Sequence, residues 1–184
     1  MNKAIFLDRD GIILKDPGFI NNPEQVELFH DIITFIKKAR EMDYLVIVVT
    51  NQGGVGLGYI TEDQLHNIHA EMLNRLEEGG AKIDAVYYCP YHPDAPDNYP
   101  DHAGWRKPNP GMLEGAAQAF VLDLSQCVMV GDMPSDVQAG YNAGCDLNVL
   151  VDRSLVETPY PHIEGYVVVA DLADVATLIQ MEDY

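Results

Sequence analysis

Basic side chains are scarce in this sequence: 11 Lys and Arg stand against 29 Asp and Glu, a formal charge of -18. A field of that sign repels phosphate backbones and anionic bilayers, and no local cluster of Lys and Arg offsets it, so neither nucleic acid nor a membrane surface is an expected partner. An anionic small molecule would have to be held by a metal ion and a few well-placed cations. Cysteine is sparse as well. Cys89, Cys127 and Cys145 form an odd, scattered set, which speaks against a disulfide framework. No stretch approaches the ~20 apolar residues of a membrane span, and the opening MNKAIFLDRDG lacks the apolar core of a secretion signal. These absences together lead to the expectation of a cytoplasmic protein. Internal repeats and low-complexity tracts are missing too.

What is present is enough for one core. A chain of 184 residues, 47% of them hydrophobic, is too short to hold two ordinary domains. A single domain over residues 1–184 is expected, with no room for a separate cap, and a monomer is the expected state. Short β-rich runs (4–7, 44–50, 85–88, 127–131, 147–151 and 166–169) alternate with helical patterns (30–42, 61–78, 111–120, 135–143 and 171–181). Apolar strands without alternation fit a sheet covered on both faces, and the βα order predicts a doubly wound, mostly parallel α/β sheet. Ligands of such sheets bind beyond the carboxyl ends of the strands, where strand order reverses. Two irregular segments, 16–27 and the proline-rich 90–110, interrupt the pattern; the second is too long for a plain connector.

Chemistry-bearing residues stand at four strand ends. Asp8 and Asp10 follow the first strand in DRDG, with Gly11 available for a sharp turn. One carboxylate there can attack phosphorus or bind metal while its neighbour moves a proton; alone, the same tetrapeptide is an ordinary polar turn. The second strand leads into Thr50, Asn51 and Gln52 and then GGVGLG, where a hydroxyl, an amide and free backbone N–H groups can hold phosphate oxygens. The glycines do not follow the dinucleotide-binding spacing. Arg106 and Lys107 form an RKP within the long loop; the usual fate of such a pair is solvation, but Arg grips phosphate with a planar fork and Lys supplies a compact charge. The fourth strand ends in GDMPSD. Asp132 and Asp136 there can be helix caps, or Asp132 can complete the oxygen shell of a Mg²⁺ ion.

Taken together, in this order, the four sites resemble the haloacid dehalogenase (HAD) superfamily, subfamily IIIA. DRDG resembles its first motif, Thr50 its second, Lys107 its third, and Asp132 with Asp136 its fourth; the likeness covers residues 3–152. The segments FLDRDG, VVTNQGG, YYCPYHP, RKPNPGM and VGDMPSD are similar to the capless branch containing D-glycero-D-manno-heptose 1,7-bisphosphate 7-phosphatase and histidinol-phosphate phosphatase. The resemblance implies a phosphatase working through an aspartyl-phosphate on Asp8, with Asp10 as general acid and then base. It implies Mg²⁺ held by Asp8, the Asp10 carbonyl and Asp132, with Thr50, Arg106 and Lys107 on the phosphate and Asp136 in support. Asp16, Gly18, Asn51, Gln52 and Gly53 would line the part of the site nearer the substrate's sugar. A heptose bisphosphate is the implied substrate, and histidinol phosphate is the alternative.

The chain departs from that branch in places. Its zinc loop, CxH followed by CxCRKP, keeps Cys89 but has Tyr91, Ala103 and Trp105 at the other three ligand positions. Zinc could be held only by an improvised set of Cys89, His92, Asp101 and His102; the expectation is a metal-free loop packed by Tyr91, Tyr99 and Trp105. Leu57 and Met133 stand where the branch commonly has Arg and Lys, which leaves two fewer cations for an anionic substrate. Two further readings stay open at this level: a non-catalytic phosphosugar-binding protein, and a phosphotransferase that delivers the aspartyl-phosphate to an alcohol.

Overall fold

The computed structural model describes residues 1–15, 18–155, 162–163 and 165–182. Its elements are β1 (Ala4–Leu7), α1 (Ile32–Glu41), β2 (Leu45–Asn51), α2 (Gly53–Gly56), α3 (Glu62–Glu78), β3 (Ala85–Cys89), α4 (Gly111–Phe120), β4 (Val128–Gly131), α5 (Pro134–Ala143), β5 (Leu147–Val151), β6 (His162–Ile163), β7 (Tyr166–Val169) and α6 (Leu172–Glu182). One sheet runs in the order β3-β2-β1-β4-β5-β7-β6. Every neighbouring pair is parallel except β6 with β7.

The absence of polar alternation in the strands has a direct structural cause. In β1 the side chains of Ile5 and Leu7 enter one core with Val46 and Val48 of β2 and Val128 and Val130 of β4. Ala4 and Phe6 point the opposite way and join Ile47, Val49 and Met129 in a second core. Successive strand residues face opposite sides of a sheet, so helices on both sides demand apolar residues throughout. On the first face lie α1, α3 and α6, through residues such as Phe35, Ile36, Ile68, Met72, Val175 and Ile179. On the other lies α4, through Met112, Leu113 and Ala116. Each fully buried aliphatic side chain of this kind contributes ~1.5–3 kcal/mol.

Helix α3 starts where Thr61 and Gln64 cap one another's backbone N–H groups, at 3.2 and 2.8 Å. A cap of that kind is worth about 1 kcal/mol. From there Leu65, Ile68, Met72 and Leu76 recur at helical spacing on the buried face. Helix α5 opens on Pro134 at its first turn and ends on Gly144, which takes the left-handed conformation at φ 86°.

Several boundaries differ from those the pattern predicts. Strand β2 extends through Asn51, β3 through Cys89, and β4 begins at Val128 instead of Cys127. The glycine run after β2 opens with the single helical turn α2. It is fixed because the Gly56 N–H donates to Pro90 O at 3.0 Å and the Asn98 amide donates to Gly56 O at 2.7 Å. The short strand β6 has no apolar run to announce it. Within the proline-rich loop, Pro100–Trp105 forms a 3₁₀ turn. Among the described residues no inserted folding unit interrupts the sheet, so its carboxyl edge carries loops and no cap domain.

Strand order sets the location of the site. From β1 the chain moves outward on one side through β2 and β3, then returns to the other side at β4. The crevice beyond the carboxyl ends of β1 and β4 is therefore the topological switch point. Asp8 leaves β1 there, and Asp132 leaves β4.

Candidate active site

A cleft of about 340 Å³ opens at the switch point, lined by Asp8, Asp10, Thr50, Asn51, Arg106, Lys107, Asp132, Met133, Ser135 and Asp136. Lys107 is its organising charge. The ammonium is buried and has three acceptors: Asp8 Oδ1 at 2.7 Å, Asp136 Oδ1 at 2.8 Å and the Val49 carbonyl at 2.7 Å. Three protons thus meet three oxygens, which is what an ammonium removed from water requires. The Lys107 backbone is held as well: its N–H donates to Asn51 Oδ1 at 3.0 Å, and Asn51 Nδ2 donates to the Lys107 carbonyl at 3.1 Å. Asn51 therefore lines the cleft with both ends of its amide engaged. Burial alone disfavours a charged Lys107, but the carboxylates of Asp8 and Asp136 outweigh it and hold the lysine above its ordinary value.

Negative charge at this point is concentrated. Oxygens of Asp8, Asp132 and Asp136 lie within 4.8 Å of one another. Asp136 already uses both of its own, one on Lys107 and the other on the Met133 N–H at 2.9 Å. Asp132 has a buried Oδ1 with no partner. Burial pushes Asp8 up to about 7 against the pull of Lys107, with Asp136 and Asp10 adding repulsion. Burial, and then Asp136, push Asp132 up to about 6. Carboxylates so crowded, one with an unpartnered oxygen, match the donor set of a hard cation such as Mg²⁺.

Two glycines make the crowding feasible. At Gly11, φ is +82° and an added Cβ would lie 2.0 Å from Asp132 Oδ2; at Gly131 it would lie 2.2 Å from the Asp136 Cβ. Only a residue without a side chain lets the β1 turn and the β4 end approach their acids so closely.

Asp10 belongs to a second network. Its carboxylate accepts from Arg9 twice, Nε to Oδ1 at 3.0 Å and Nη2 to Oδ2 at 2.9 Å, and from Gln52 Nε2 at 2.9 Å. Gln52 also reaches Thr50 Oγ1 at 2.9 Å. Arg9 is almost fully buried, at 2% exposure, and its Nη1 lies 3.2 Å from His69 Nε2 on α3. Arg106 donates to the Tyr91 carbonyl at 3.1 Å and lines the cleft. An added Cβ on Gly53 would come within 3.0 Å of that guanidinium.

The structure thus gathers Asp8, Asp10, Thr50, Asn51, Arg106, Lys107, Asp132 and Asp136 around one cleft, with Gln52 and Gly53 bordering it. Gly18 is exposed at φ +102° and does not line the cleft. Asp16 lies outside the described residues. Met133, noted from sequence for the missing cation, is in the cleft wall; sequence reading missed Ser135 there, and it missed Arg9 and His69 behind Asp10. The available signal was the arginine set between two acids in DRDG, which has no reason to be solvated when both flanking residues face a cleft.

The proposed zinc ligands are not drawn together. Among the described residues, the only cluster of three or more side chains that could hold a metal is that of Asp8, Asp132 and Asp136. The Cys89 thiol instead donates to the His102 carbonyl at 3.2 Å, and burial holds it in the protonated form by raising its pKa. The His102 ring packs edge-on against Trp105 at 5.4 Å and Tyr99 at 6.1 Å.

Comparison with known proteins agrees with this geometry. The HAD-hydrolase-like family model matches residues 104–175. A protein of Burkholderia mallei named D-glycero-alpha-D-manno-heptose-1,7-bisphosphate 7-phosphatase is 42% identical over 161 residues, 85% of each chain. The chain belongs to the HAD superfamily. A Haemophilus influenzae relative, named for the beta anomer of the same heptose bisphosphate, is 38% identical over 82% of each chain. Among solved structures, a D,D-heptose 1,7-bisphosphate phosphatase from B. bronchiseptica complexed with magnesium and phosphate superimposes with a TM-score of 0.82, at 33% identity over 99% of both chains. That superposition spans the fold from β1 to α6. No helix among the described residues is long and apolar enough to cross a membrane.

Proposed function

We propose that this chain is a Mg²⁺-dependent phosphatase, acting as one capless domain over residues 1–184 on the 7-phosphate of D-glycero-D-manno-heptose 1,7-bisphosphate. The observation that carries the reading is the buried Lys107 bridging Asp8 and Asp136 at the switch point, beside an Asp132 oxygen that lacks a partner. The names of the relatives support the substrate.

In this reading Asp8 is the nucleophile. Lys107 fixes its carboxylate through Oδ1 and offsets repulsion between two anions as phosphorus approaches. Asp8, the Asp10 backbone carbonyl and Asp132 would hold Mg²⁺, which when bound supplies positive charge to the phosphate oxygens. Thr50 and Arg106 hold the phosphate. As the P–O bond to the sugar breaks, Asp10 gives its proton to the leaving oxygen. It then takes a proton from the water that attacks the aspartyl-phosphate, releasing inorganic phosphate and restoring the Asp8 carboxylate. Asn51, Gln52 and Gly53 border the cleft where the sugar would sit, and Asp136 keeps Lys107 in place. A cytoplasmic monomer with a small phosphorylated metabolite as its partner completes the reading.

The test is phosphate release by purified protein with Mg²⁺, using both anomers of the heptose bisphosphate, histidinol phosphate and common sugar phosphates, beside Asp8→Asn. A high kcat/KM on one heptose anomer, lost in Asp8→Asn, is the expected result. Preference for histidinol phosphate would replace the substrate. Turnover surviving in Asp8→Asn would remove the nucleophile.

A further inference from the structure

Behind the cleft, α3 reaches Asp10 through two buried side chains whose presence the reaction scheme leaves unexplained. Arg9 is 2% exposed and His69 is 6% exposed. Burying a guanidinium is costly unless every donor finds a partner. Two of its nitrogens grip Asp10 in a fork, Nε at 3.0 Å and Nη2 at 2.9 Å. The third, Nη1, has His69 Nε2 at 3.2 Å. A guanidinium only donates, so Nε2 must be the accepting nitrogen and the imidazole proton must sit on Nδ1. A cationic imidazole could not accept. Consistent with that, burial first, and then the charge of Arg9, push His69 down to about 3.

His69 is held in turn by its own helix and by Tyr88, whose ring centre lies 5.8 Å away. It occupies the buried face of α3 with Leu65, Ile68, Met72 and Leu76, yet it is the polar member of that stripe. An apolar residue would fill the same space and would leave Arg9 Nη1 without an acceptor. The arginine would then be free to turn, and one arm of the fork on Asp10 would be lost. The carboxylate would keep the other arm and Gln52 Nε2 and lose its fixed orientation.

We propose that His69 is a positioning residue for catalysis: as a neutral hydrogen-bond acceptor on α3 it locks Arg9, and Arg9 sets the orientation of the Asp10 carboxylate that moves the proton. This rests on the phosphatase reading for its catalytic consequence, but not for the geometry. The rigid scaffold of α3 thereby fixes a group on the first strand's turn, and small displacements of a proton-transfer group are costly to rate.

The experiment compares wild type with His69→Leu and His69→Gln, whose side-chain oxygen can replace Nε2 as acceptor, in the Asp10 and Asp10→Asn backgrounds. His69→Leu is expected to lower kcat by about tenfold or more with KM nearly unchanged. His69→Gln is expected to recover most of that loss. In Asp10→Asn the Leu substitution should add almost nothing, because both act on the same proton transfer. Losses that multiply, or a KM effect without a kcat effect, would overturn the proposal and leave His69 as packing. An arm independent of turnover uses the ¹⁵N spectrum of the His69 imidazole. An unprotonated Nε2 that does not titrate between about pH 5 and pH 8 is expected, with an Nε2 chemical shift that moves in Arg9→Met as the donor facing it is removed. A His69 that titrates normally in wild type overturns the proposal even if no phosphate ester is hydrolysed, whereas absent turnover with the expected spectrum faults only the phosphatase reading.

Discussion

The Lys107 ammonium lies 2.7 Å from Asp8 Oδ1, although 99 residues separate the two in the chain. The contact is buried, and Lys107 also carries the negative charge of Asp136 at 2.8 Å. Removing one partner of a buried pair leaves an uncompensated charge, at a cost of ~3–5 kcal/mol. Here two carboxylates would be left facing one another.

Lys107→Met is therefore expected to lower stability by about 3 kcal/mol in metal-free solution at a pH where Asp8 is ionised, as read by urea unfolding. Because Asp8 is raised to about 7 even with Lys107 in place, and loss of that cation raises it further, Asp8 can take up a proton and the deficit should shrink in mildly acidic solution. Activity should fall by ~10²-fold or more at either pH, since the cation is missing where charge develops. Equal deficits at both pH values would contradict the assignment of Asp8 as the titrating partner.

Magnesium should stabilise the protein more as pH rises. Asp8 and Asp132 are held at about 7 and about 6, above the ordinary carboxylate value, so the metal-free fold binds more protons than the unfolded chain. Their contribution to stability is full below the unfolded value and is lost as pH rises through about 6 and then about 7. His69 titrates with the opposite sign: its pKa is depressed to about 3, and its contribution is complete once pH exceeds the ordinary histidine value. Between the ordinary carboxylate value and about 7 the two carboxylates outweigh the single opposing histidine. Melting temperature without metal should on balance fall up to about pH 7 and level off above it, and the gap opened by Mg²⁺ should widen over the same range. A gap that narrows would argue against a cation site at these acids.

Much of this arrangement was legible in the sequence because strand ends are legible. The strands 4–7, 147–151 and 166–169 and the helix 111–120 match the observed bounds, since apolar runs flanked by polar turns leave little ambiguity. Doubly wound order then placed Asp8, Thr50 and Asp132 at one edge. What stayed hidden depends on contacts between distant segments. His69 looks like any polar residue of an amphipathic helix until Arg9 is seen against it. The turn at Gly53–Gly56 depends on the Pro90 carbonyl, which glycine spacing alone does not reveal. Asn51 was placed on the sugar side, and its amide is engaged by the Lys107 backbone, a pairing between positions 56 apart.

Gly11→Ala tests how tightly the first turn is built around Asp132. The position has φ +82°, where a side chain costs ~1–2 kcal/mol. The new methyl would overlap Asp132 Oδ2, which lies 2.0 Å from the ideal Cβ. Asp132 must then move, and a displaced ligand is expected to raise the Mg²⁺ concentration needed for half-maximal activity by about tenfold or more. Titration of activity against Mg²⁺ checks it, with calorimetry on the metal alone as the binding control. An unchanged Mg²⁺ requirement would mean that Asp132 does not hold the ion.

Trp105 anchors the loop that delivers Arg106 and Lys107, and its removal should affect substrate binding more than folding. Its half-buried ring packs on Tyr87 at 6.1 Å and His102 at 5.4 Å. The loop is tied elsewhere by the Cys89 thiol on the His102 carbonyl and by the Asn51 clamp on the Lys107 backbone. Trp105→Ala thus loses part of the ~3–5 kcal/mol of a core aromatic truncation, about 2 kcal/mol for a ring only half removed from water. Lys107 keeps its clamp and its three acceptors, whereas Arg106 holds the main chain by a single bond to Tyr91. KM should therefore rise several-fold while kcat changes less. Because side-chain packing supports the loop, a zinc chelator should leave the wild-type melting temperature and KM unchanged, and a chelator-induced shift matching that of Trp105→Ala would show that a metal, not the aromatic ring, bears the loop.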